Sequence, residues 1–240
     1  MKIARFTFGA SLRELLPRDK RSGTFDYVFN GPQSVKHLIE SVGIPHTEIG
    51  LMKANGEKIT LDYLVKNGDQ VEVQPESFLD HRPAPVTEPR FVLDGHLGRL
   101  TSHLRMLGLD CLYHNDYADK ELVQVCVDEG RVLLTRDRRL LMHKSIAQGY
   151  LLRSLDPQEQ LSEVVQRYRL KGWIKPFQRC IRCNHPLEPV SKEDVIERLE
   201  PLTKLYFEEF HICPACQQIY WKGSHYERMQ NLISRITDNT

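Results

Sequence analysis

Four of the six cysteines form two Cys-x-x-Cys pairs in the last third of the chain. The first pair is Cys180 and Cys183, and the second is Cys213 and Cys216. Four thiolates at this spacing can form a tetrahedral cage for Zn²⁺, and because they fill its coordination sphere the site would be structural. A redox dithiol is the alternative, although that motif usually occurs once and beside a βαβ unit. The spacing therefore predicts a structural zinc site.

Aspartates follow three predicted strands in the middle of the chain. Asp94 ends the first strand, Asp116 and Asp119 follow the second, and Asp137 follows the third. Because ligands of open parallel sheets collect beyond the carboxyl ends of the strands, these acids are expected to share one edge. Crowded carboxylates suit Mg²⁺ or Mn²⁺, which can activate water for attack on phosphorus. The simpler alternative is that Asp119 and Asp137 cap the helices that follow them.

Basic and aromatic side chains accompany both groups. Several Arg and Lys contacts can hold a phosphate backbone, and aromatic rings can stack on an unpaired base. The residues predicted to contact nucleic acid are Arg99, Arg105, Arg136, Arg138, Arg139, Trp221 and His225, with Tyr220 and Tyr226 close to the last two. The alternative is that the arginines lie on a solvated helix face and that the aromatic residues form the small core of a zinc ribbon.

The composition limits what can position these groups. With 240 residues, 27% charged and 40% hydrophobic, the chain is a globular protein of one or two average domains. Its net charge of +1 excludes a histone-like binder. No apolar stretch approaches ~18 residues, and Arg5 and Arg13 interrupt the start where a signal peptide would carry its apolar core. We therefore expect a cytoplasmic protein with no membrane partner.

The first segment predicts a small mixed fold. Strands are predicted at 2–8, 27–29, 49–54 and 71–73, with a helix over 33–41. Ile3 does not share a face with Phe6 and Phe8, which favours an edge strand or a bulge. The dipeptide Asn55-Gly56 is typical of a tight hairpin turn. This order of elements resembles the ubiquitin-like β-grasp superfamily.

The run at 67–73, Asn-Gly-Asp-Gln-Val-Glu-Val, is similar to the last turn and strand of small sulfur carriers. Those proteins end in a free Gly-Gly tail, whereas here residues 74–77 lead into more protein. A sulfur-carrying role is therefore not expected. A linker follows, in which prolines disfavour both helix and sheet interior.

Beyond the linker, strands alternate with helices. Strands are predicted at 90–93, 110–113, 132–134 and 150–153, and helices begin near residues 97, 120, 138 and 156. Such alternation implies right-handed crossovers and a parallel sheet covered on both faces. The helix that begins at residue 138 is expected to reach residue 147, and a small helix over 191–199 is expected between the two cysteine pairs.

Several short runs together resemble the PIN-like ribonucleases and, more specifically, the Mut-seven C-terminal RNase domain family. They are Phe-Val-Leu-Asp ending at Asp94, Leu-Arg-Met-Leu-Gly around Arg105, Asp119 opening a helix, Leu-Leu-Thr-Arg-Asp-Arg ending at Arg138, and Tyr-Trp-Lys-Gly-Ser-His at 220–225. In this family a PIN-like domain precedes a zinc ribbon and can follow a ubiquitin-like domain. The resemblance implies an α/β and α+β multidomain chain: a ubiquitin-like β-grasp domain at 1–76, a linker at 77–89, a PIN-like nuclease domain at 90–172 and a zinc-ribbon domain at 173–240.

The resemblance also implies an activity. The protein would be a metal-dependent ribonuclease acting on RNA, structured or tRNA-like RNA included, with Asp94, Asp119 and Asp137 as catalytic acids around Mg²⁺ or Mn²⁺. PIN-like nucleases often have a fourth acid, for which Asp116 and Asp156 are both candidates. The alternative function is a non-catalytic RNA-binding adaptor whose ubiquitin-like domain recruits a protein partner.

Overall fold

A computed structural model describes residues 1–76, 87–223, 226 and 230–235 of the chain. Its internal contacts divide the chain into two compact units, Met1–Arg82 with Ala118–Arg153, and Pro83–Tyr117 with Ser154–Thr240. This division runs through the segment predicted as the PIN-like domain, so the domain limits taken from the sequence remain predictions. Most of the predicted linker lies outside the described residues. Within the described part of the chain, no helix combines the length and apolar character needed to cross a membrane.

The N-terminal segment forms a mixed sheet with one principal helix. Its elements are β1 (Lys2–Phe8), α1 (Ala10–Arg13), β2 (Thr24–Phe29), α2 (Val35–Ser41), β3 (Ile49–Ala54), β4 (Glu57–Lys58) and β5 (Gln70–Pro75). The strand order is β2-β1-β5-β3-β4. Strands β1 and β5 pair in parallel, and the other neighbours pair antiparallel. Both residues of the Asn55-Gly56 turn have positive φ, at 52° and 86°, which confirms the predicted hairpin turn.

The expectation that β1 is an edge strand is wrong. β1 lies between β2 and β5, and Phe6 and Phe8 on its inner face are buried. Ile3 lies on the outer face opposite Val28 of β2, where the two side chains are 48% and 52% exposed. The mixed pattern therefore reflects an open outer face of an interior strand.

Within the first unit, hydrogen bonds join the N-terminal fold to a second group of elements. These elements are α4 (Asp119–Glu129), β8 (Val132–Thr135), α5 (Arg138–Leu141) and β9 (Gly149–Leu151), with β8 parallel to β9. Glu48 is 1% exposed, accepts a bond from the Leu151 N–H at 2.9 Å and pairs with Arg153 at 2.9 Å. The Ile146 carbonyl lies 2.8 Å from Nε2 of His46. Buried polar contacts thus fix the N-terminal fold against β9.

The second unit contains β6 (Phe91–Leu93), α3 (Gly98–Met106), β7 (Cys111–Tyr113) and α6 (Pro157–Arg167), with β6 parallel to β7. α3 packs on α6 through buried leucine and valine side chains: Leu100, Leu104, Leu161, Val164 and Val165. The pairs β6–β7 and β8–β9 are both parallel, so the central region is of the α/β class with parallel strands, as predicted. The helix expected over 138–147 ends at Leu141, and a separate turn follows in which Ile146 bonds to His143.

The C-terminal sheet, as we call β10 (Glu188–Val190), β11 (Phe210–Ile212) and β12 (Ile219–Trp221), is antiparallel in the order β10-β11-β12. Between β10 and β11 the chain forms α7 (Lys192–Val195), a 3₁₀ turn (Ile196–Arg198) and α8 (Pro201–Tyr206). The predicted helix over 191–199 is therefore a short helix followed by a 3₁₀ turn. Four buried residues form the core of this sheet: Val195, Leu199, Phe210 and Ile219.

Candidate functional site

The two predicted cysteine pairs come together in the second unit. All four sulfur atoms lie within 4.8 Å of one another. Cys180 Sγ is 3.5 Å from Cys216 Sγ, and Cys183 Sγ is 3.3 Å from Cys213 Sγ. Four sulfurs bound tetrahedrally at ~2.3 Å from one zinc ion would be about 3.8 Å apart. The cluster therefore has the size and the donor set that a zinc ion requires.

Each pair lies in a turn of the same form. In the first turn, the Cys180 N–H donates to the His185 carbonyl and the Asn184 N–H donates to the Cys180 carbonyl. In the second turn, the Cys213 N–H donates to the Gln218 carbonyl and the Gln217 N–H donates to the Cys213 carbonyl. All four distances are 2.8 or 2.9 Å. The residue after each second cysteine is left-handed, with φ 70° at Asn184 and 60° at Gln217. Asn adopts this conformation more readily than most residues. The repeated turn brings the two sulfurs of each pair to one side.

The electrostatics of the cluster favour one thiolate. Burial raises the pKa of Cys180, but the Tyr220 hydroxyl at 3.1 Å and the backbone at Cys183 lower it further, to about 7. Burial and the neighbouring sulfurs raise the pKa of Cys183 to about 12. Ionisation of Cys183 is therefore unfavourable without a cation, and a divalent ion at the cluster would favour its thiolate.

Arg105 fastens the first cysteine turn to β7. It is 4% exposed, and its Nε donates to the Cys111 carbonyl at 2.9 Å. Its Nη1 donates to the carbonyls of Ile181 and Arg182 at 3.1 and 2.8 Å. Burial lowers the pKa of Arg105. The prediction that Arg105 binds RNA is therefore corrected: its guanidinium is buried and occupied by three carbonyl oxygens.

The side chain of Asn184 also joins the first cysteine turn to β7, a role that the sequence analysis did not identify. Its side chain is buried, accepts from the Cys111 N–H at 2.9 Å and donates to Asp110 Oδ1 at 2.8 Å. Arg179 also reaches Asp110, at 3.5 Å. An Asn directly after the second cysteine of a pair is the sequence signal that could have identified this role. At that left-handed position its side-chain amide can form hydrogen bonds with a neighbouring segment.

Asp94, the first predicted catalytic acid, lies directly after β6 and is 9% exposed. Its Oδ1 accepts from the His96 N–H at 3.0 Å. The Tyr113 hydroxyl donates to the Gly95 carbonyl at 2.9 Å and also contacts Asn115. Burial, followed by the charge of Asp94, raises the pKa of Tyr113. The loop that carries Asp94 is thus tied to the loop after β7.

Asp116 and Asp156, the two candidates for a fourth acid, differ in their surroundings. The Asp116 side chain is 88% exposed and lies 3.9 Å from His114, and its charge contributes to the raised pKa of Tyr113. Asp156 is the N-cap of α6 and accepts from the N–H groups of Gln158 and Glu159 at 2.8 and 3.0 Å. The carboxylate of Asp156 therefore already has a structural use.

Asp119 and Asp137 lie in the first unit, and both are exposed. Asp119 is the first residue of α4, whose N-cap is Ala118, so the alternative that Asp119 caps this helix is not realised. The structure shows no hydrogen bond to the Asp119 carboxylate within the residues it describes. Asp137 does cap α5: its Oδ1 accepts from the Arg139 N–H at 2.7 Å, and its own N–H donates to Thr135 at 2.9 Å.

The other residues predicted to contact RNA differ in their surroundings. Arg99, Arg136 and Arg139 are exposed. Arg138 is exposed as well, but its Nη1 donates to the Leu15 carbonyl at 2.8 Å within the first unit. Its guanidinium therefore has a structural role. Trp221 packs against the core of the C-terminal sheet, as the alternative interpretation expected. His225 lies outside the described residues.

Comparison of the sequence with family models identifies the family. The family model for the Mut7-C RNAse domain matches residues 89–233, and that for the Mut7-C ubiquitin domain matches residues 1–79. The first match spans more than half of the chain, and the chain therefore belongs to the Mut7-C RNAse domain family, preceded by its ubiquitin-like domain. This confirms the resemblance found in the short motifs.

Two solved structures are similar to part of the chain. One is small archaeal modifier protein 1 from H. volcanii, and the other is described as "Putative molybdopterin converting factor, subunit 1" from Pyrococcus furiosus. Each is 19% identical, covers 31% of this chain and 98% of its own, and has a TM-score of 0.25. At this score the likeness carries no argument about function. No curated protein matches the chain.

Proposed function

We propose that this protein is a metal-dependent ribonuclease that hydrolyses RNA phosphodiester bonds. The observation that carries the proposal is the match of residues 89–233 to the Mut7-C RNAse domain. The matched segment contains the aspartates that follow its parallel strands. A nuclease class and this set of acids support each other, because hydrolysis of a phosphodiester needs charge stabilisation at the phosphorus that carboxylate-bound metal can supply.

Asp94, Asp119 and Asp137 are the proposed metal-binding acids, and the proposal requires them to act together. Their chemistry fits a hard cation, since carboxylate oxygens are the preferred ligands of Mg²⁺ and Mn²⁺. Asp119 has no hydrogen bond in the described part of the chain, and the cap bond of Asp137 uses only one of its oxygens. Mg²⁺ or Mn²⁺ bound there would activate a water molecule and stabilise the leaving oxygen.

Arg99, Arg136 and Arg139 are proposed to hold the RNA backbone. Phosphates are bound by several Arg and Lys contacts that release counterions, and these three side chains are exposed. Their part is to position the scissile bond. Arg105 has no part in this because its guanidinium is buried.

The four cysteines are proposed to hold a structural zinc ion, which would make the C-terminal segment a zinc ribbon. Four protein ligands leave no open position for a substrate. The bond from Arg105 to the first cysteine turn, and the bond that Asn184 of this turn accepts from the Cys111 N–H of β7, would transmit the order of the zinc site to β7.

The test is cleavage of labelled RNA by purified protein with and without Mn²⁺ or Mg²⁺. Asp137→Asn is the key variant, because Asn is as good a helix cap as Asp and the substitution removes the charge without removing the cap. We expect cleavage to fall at least ~100-fold, as for loss of a principal electrostatic contribution to the transition state. Asp128→Asn is the matched control, since Asp128 is an exposed residue of α4, and it should cleave like the parent.

Unchanged cleavage in both Asp94→Asn and Asp137→Asn would refute the nuclease proposal. RNA binding with no metal-dependent cleavage in the parent protein would instead favour the adaptor, whose ubiquitin-like domain would recruit a protein partner. The two functions are thus separated in one experiment.

A further inference from the structure

A groove of about 280 Å³ lies beside the C-terminal sheet. The residues that line it include Phe177, His211, Tyr220, Trp221, Lys222 and Tyr226. None of these belongs to the acids of the proposed metal site. The groove is therefore a separate feature of the second unit.

The aromatic character of the groove comes mainly from one pair of rings. Phe177 and Tyr226 are stacked, with ring centroids 4.6 Å apart and an interplanar angle of 30°. Both side chains are only half-buried. Phe177 has φ 64°, a conformation that bulky residues rarely adopt. The fold thus keeps this ring beside the groove despite an unfavourable backbone conformation.

In the C-terminal sheet, alternate residues of β11 and β12 face the groove and the core, and Trp221 contacts both. Phe210 lies opposite Trp221, and His211 lies opposite Tyr220. Phe210 belongs to the core, with Trp221 packed against it. Because side chains alternate across a strand, His211 and Tyr220 belong to the other face, which the groove occupies. The side chains of that face are not needed to fill the core.

The charges along the groove cancel. Glu209 and Lys222 both line it and form a salt bridge of 2.6 Å. A phosphate would gain little in such a place, whereas a neutral ring with polar edges suits it. The amide side chains of Gln178 and Gln230, which also line the groove, can donate to and accept from the edge of a base.

We propose that this groove binds an unpaired nucleobase, which stacks on the stacked pair Phe177 and Tyr226 at a ring face that the other ring does not cover. Sequence-tolerant recognition of single-stranded RNA commonly combines a stacking platform with backbone contacts made elsewhere. The inference rests on the proposed function, because an RNA substrate would supply the base. It places a second contact on the RNA, apart from the phosphate contacts proposed for the arginines.

The test uses the full chain and probes that contain no phosphodiester bond. Adenosine and uridine are titrated and their binding is followed by ligand-observed NMR, with ribose 5-phosphate as the probe that has a phosphate and no base. We expect both nucleosides to bind and ribose 5-phosphate not to bind. Phe177→Leu should weaken adenosine binding about tenfold, within the range for loss of one base-stacking contact.

Tyr206→Leu is the matched control, because Tyr206 on α8 is 70% exposed and does not line the groove. It should bind adenosine like the parent. Zinc content and the unfolding temperature verify that each variant is folded, and Tyr226→Leu provides the same test if Phe177→Leu does not fold.

The inference would be overturned if the parent bound no nucleoside, or if the parent and a folded groove variant bound adenosine equally. Binding of a proline-rich peptide in place of nucleosides would also overturn it, since the occupant would then be a protein segment. A parent that binds adenosine but cleaves no RNA would contradict the proposed ribonuclease and leave the groove assignment standing.

Discussion

The cysteine cluster and the aspartates are two predicted sites of very different construction. Each pair of cysteines is only three residues apart, and a local turn with its own backbone bonds orients each pair. The aspartates are spread over both compact units: Asp94 lies in one, and Asp119 and Asp137 in the other. The positions of the sulfur atoms within each pair are determined mainly by a short local turn. The positions of side chains at strand ends depend instead on how the strands are arranged in the sheet.

The difference shows also in what surrounds the two sets of residues. The cysteine cluster is supported by Arg105, Asn184 and Tyr220, none of which the spacing of the cysteines could reveal. Among the aspartates, Asp137 serves a helix N-terminus and Asp94 a local turn. The cysteines are thus proposed to serve only as metal ligands, whereas the aspartates combine structural hydrogen bonds with a proposed catalytic role.

The largest expected effect is the loss of zinc from the cysteine cluster. Structural zinc sites contribute apparent binding energies of roughly 10–16 kcal/mol in small domains, so Cys213→Ser should unfold the C-terminal segment. Residues 1–76 should stay folded, because their own sheet does not include the cluster. Metal analysis and hydrogen exchange of the full chain measure both effects.

Cys126→Ala is the control for this prediction, since Cys126 is buried in α4 and outside the cluster. It should retain near-stoichiometric zinc. If the parent, purified with reduced thiols, contains no zinc, the cluster has another purpose and the contrast with the aspartates fails.

The next effect concerns Arg105, which links the locally built cluster to the strand beside it. Replacing Arg105 with Met leaves three carbonyl oxygens without their donor, which should destabilise the protein by roughly 3 kcal/mol. RNA affinity of the folded fraction should not change. Urea unfolding measures the loss, and Arg99→Met, an exposed change on the same helix, is the control for stability alone, since Arg99 is one of the proposed RNA contacts. A variant as stable as the parent would show that the cysteine turn needs no support from α3.

Arg105 also marks the limit of prediction from sequence. The order of elements, the Asn55-Gly56 turn and the cysteine cluster follow from local spacing, and the structure confirms them. The burial of Arg105 and the interior position of β1 depend on residues far away in sequence. Helical periodicity could not show that α5 ends at Leu141, because a stripe of apolar residues does not reveal where hydrogen bonds to other segments begin.

A smaller effect would distinguish the two candidates for the fourth acid. Asp116→Asn should lower cleavage about tenfold at limiting Mn²⁺ and less at saturating Mn²⁺, because an outlying carboxylate would contribute mainly to metal affinity. Asp156→Asn should change cleavage less than twofold, since Asn keeps the cap of α6. Cleavage rates across a Mn²⁺ titration make the comparison. A larger effect from Asp156 would assign the fourth acid to it and remove Asp116.

The smallest expected effect concerns Asp69 in the ubiquitin-like domain. It tests whether hydrogen bonds between residues close in sequence also stabilise a turn there. This buried carboxylate accepts from Asn55 at 2.9 Å, Tyr63 at 3.0 Å and the Lys66 N–H at 2.8 Å. Burial raises its pKa, but these hydrogen bonds outweigh burial and the pKa is lowered overall. A lowered pKa in the folded state means that the unfolded chain binds the proton more readily. The stabilisation is therefore present above the unfolded pKa of about 3.9 and is lost as the pH falls through the folded pKa.

Asp69→Asn should accordingly destabilise residues 1–76 by about 1 kcal/mol at pH 7, because the amide presents a donor to groups that themselves donate. The difference between variant and parent should shrink as the pH falls below about 4, where the parent loses its advantage. Hydrogen exchange of residues 1–76 between pH 3 and 7 measures it, with Asp62→Asn as the control, since Asp62 is an exposed residue of the same segment. A difference that is constant with pH would show that shape and not charge holds this turn. The contrast between sites formed by a local turn and sites formed by residues far apart in sequence would then hold for the cysteine cluster but not for the polar turn at Asp69.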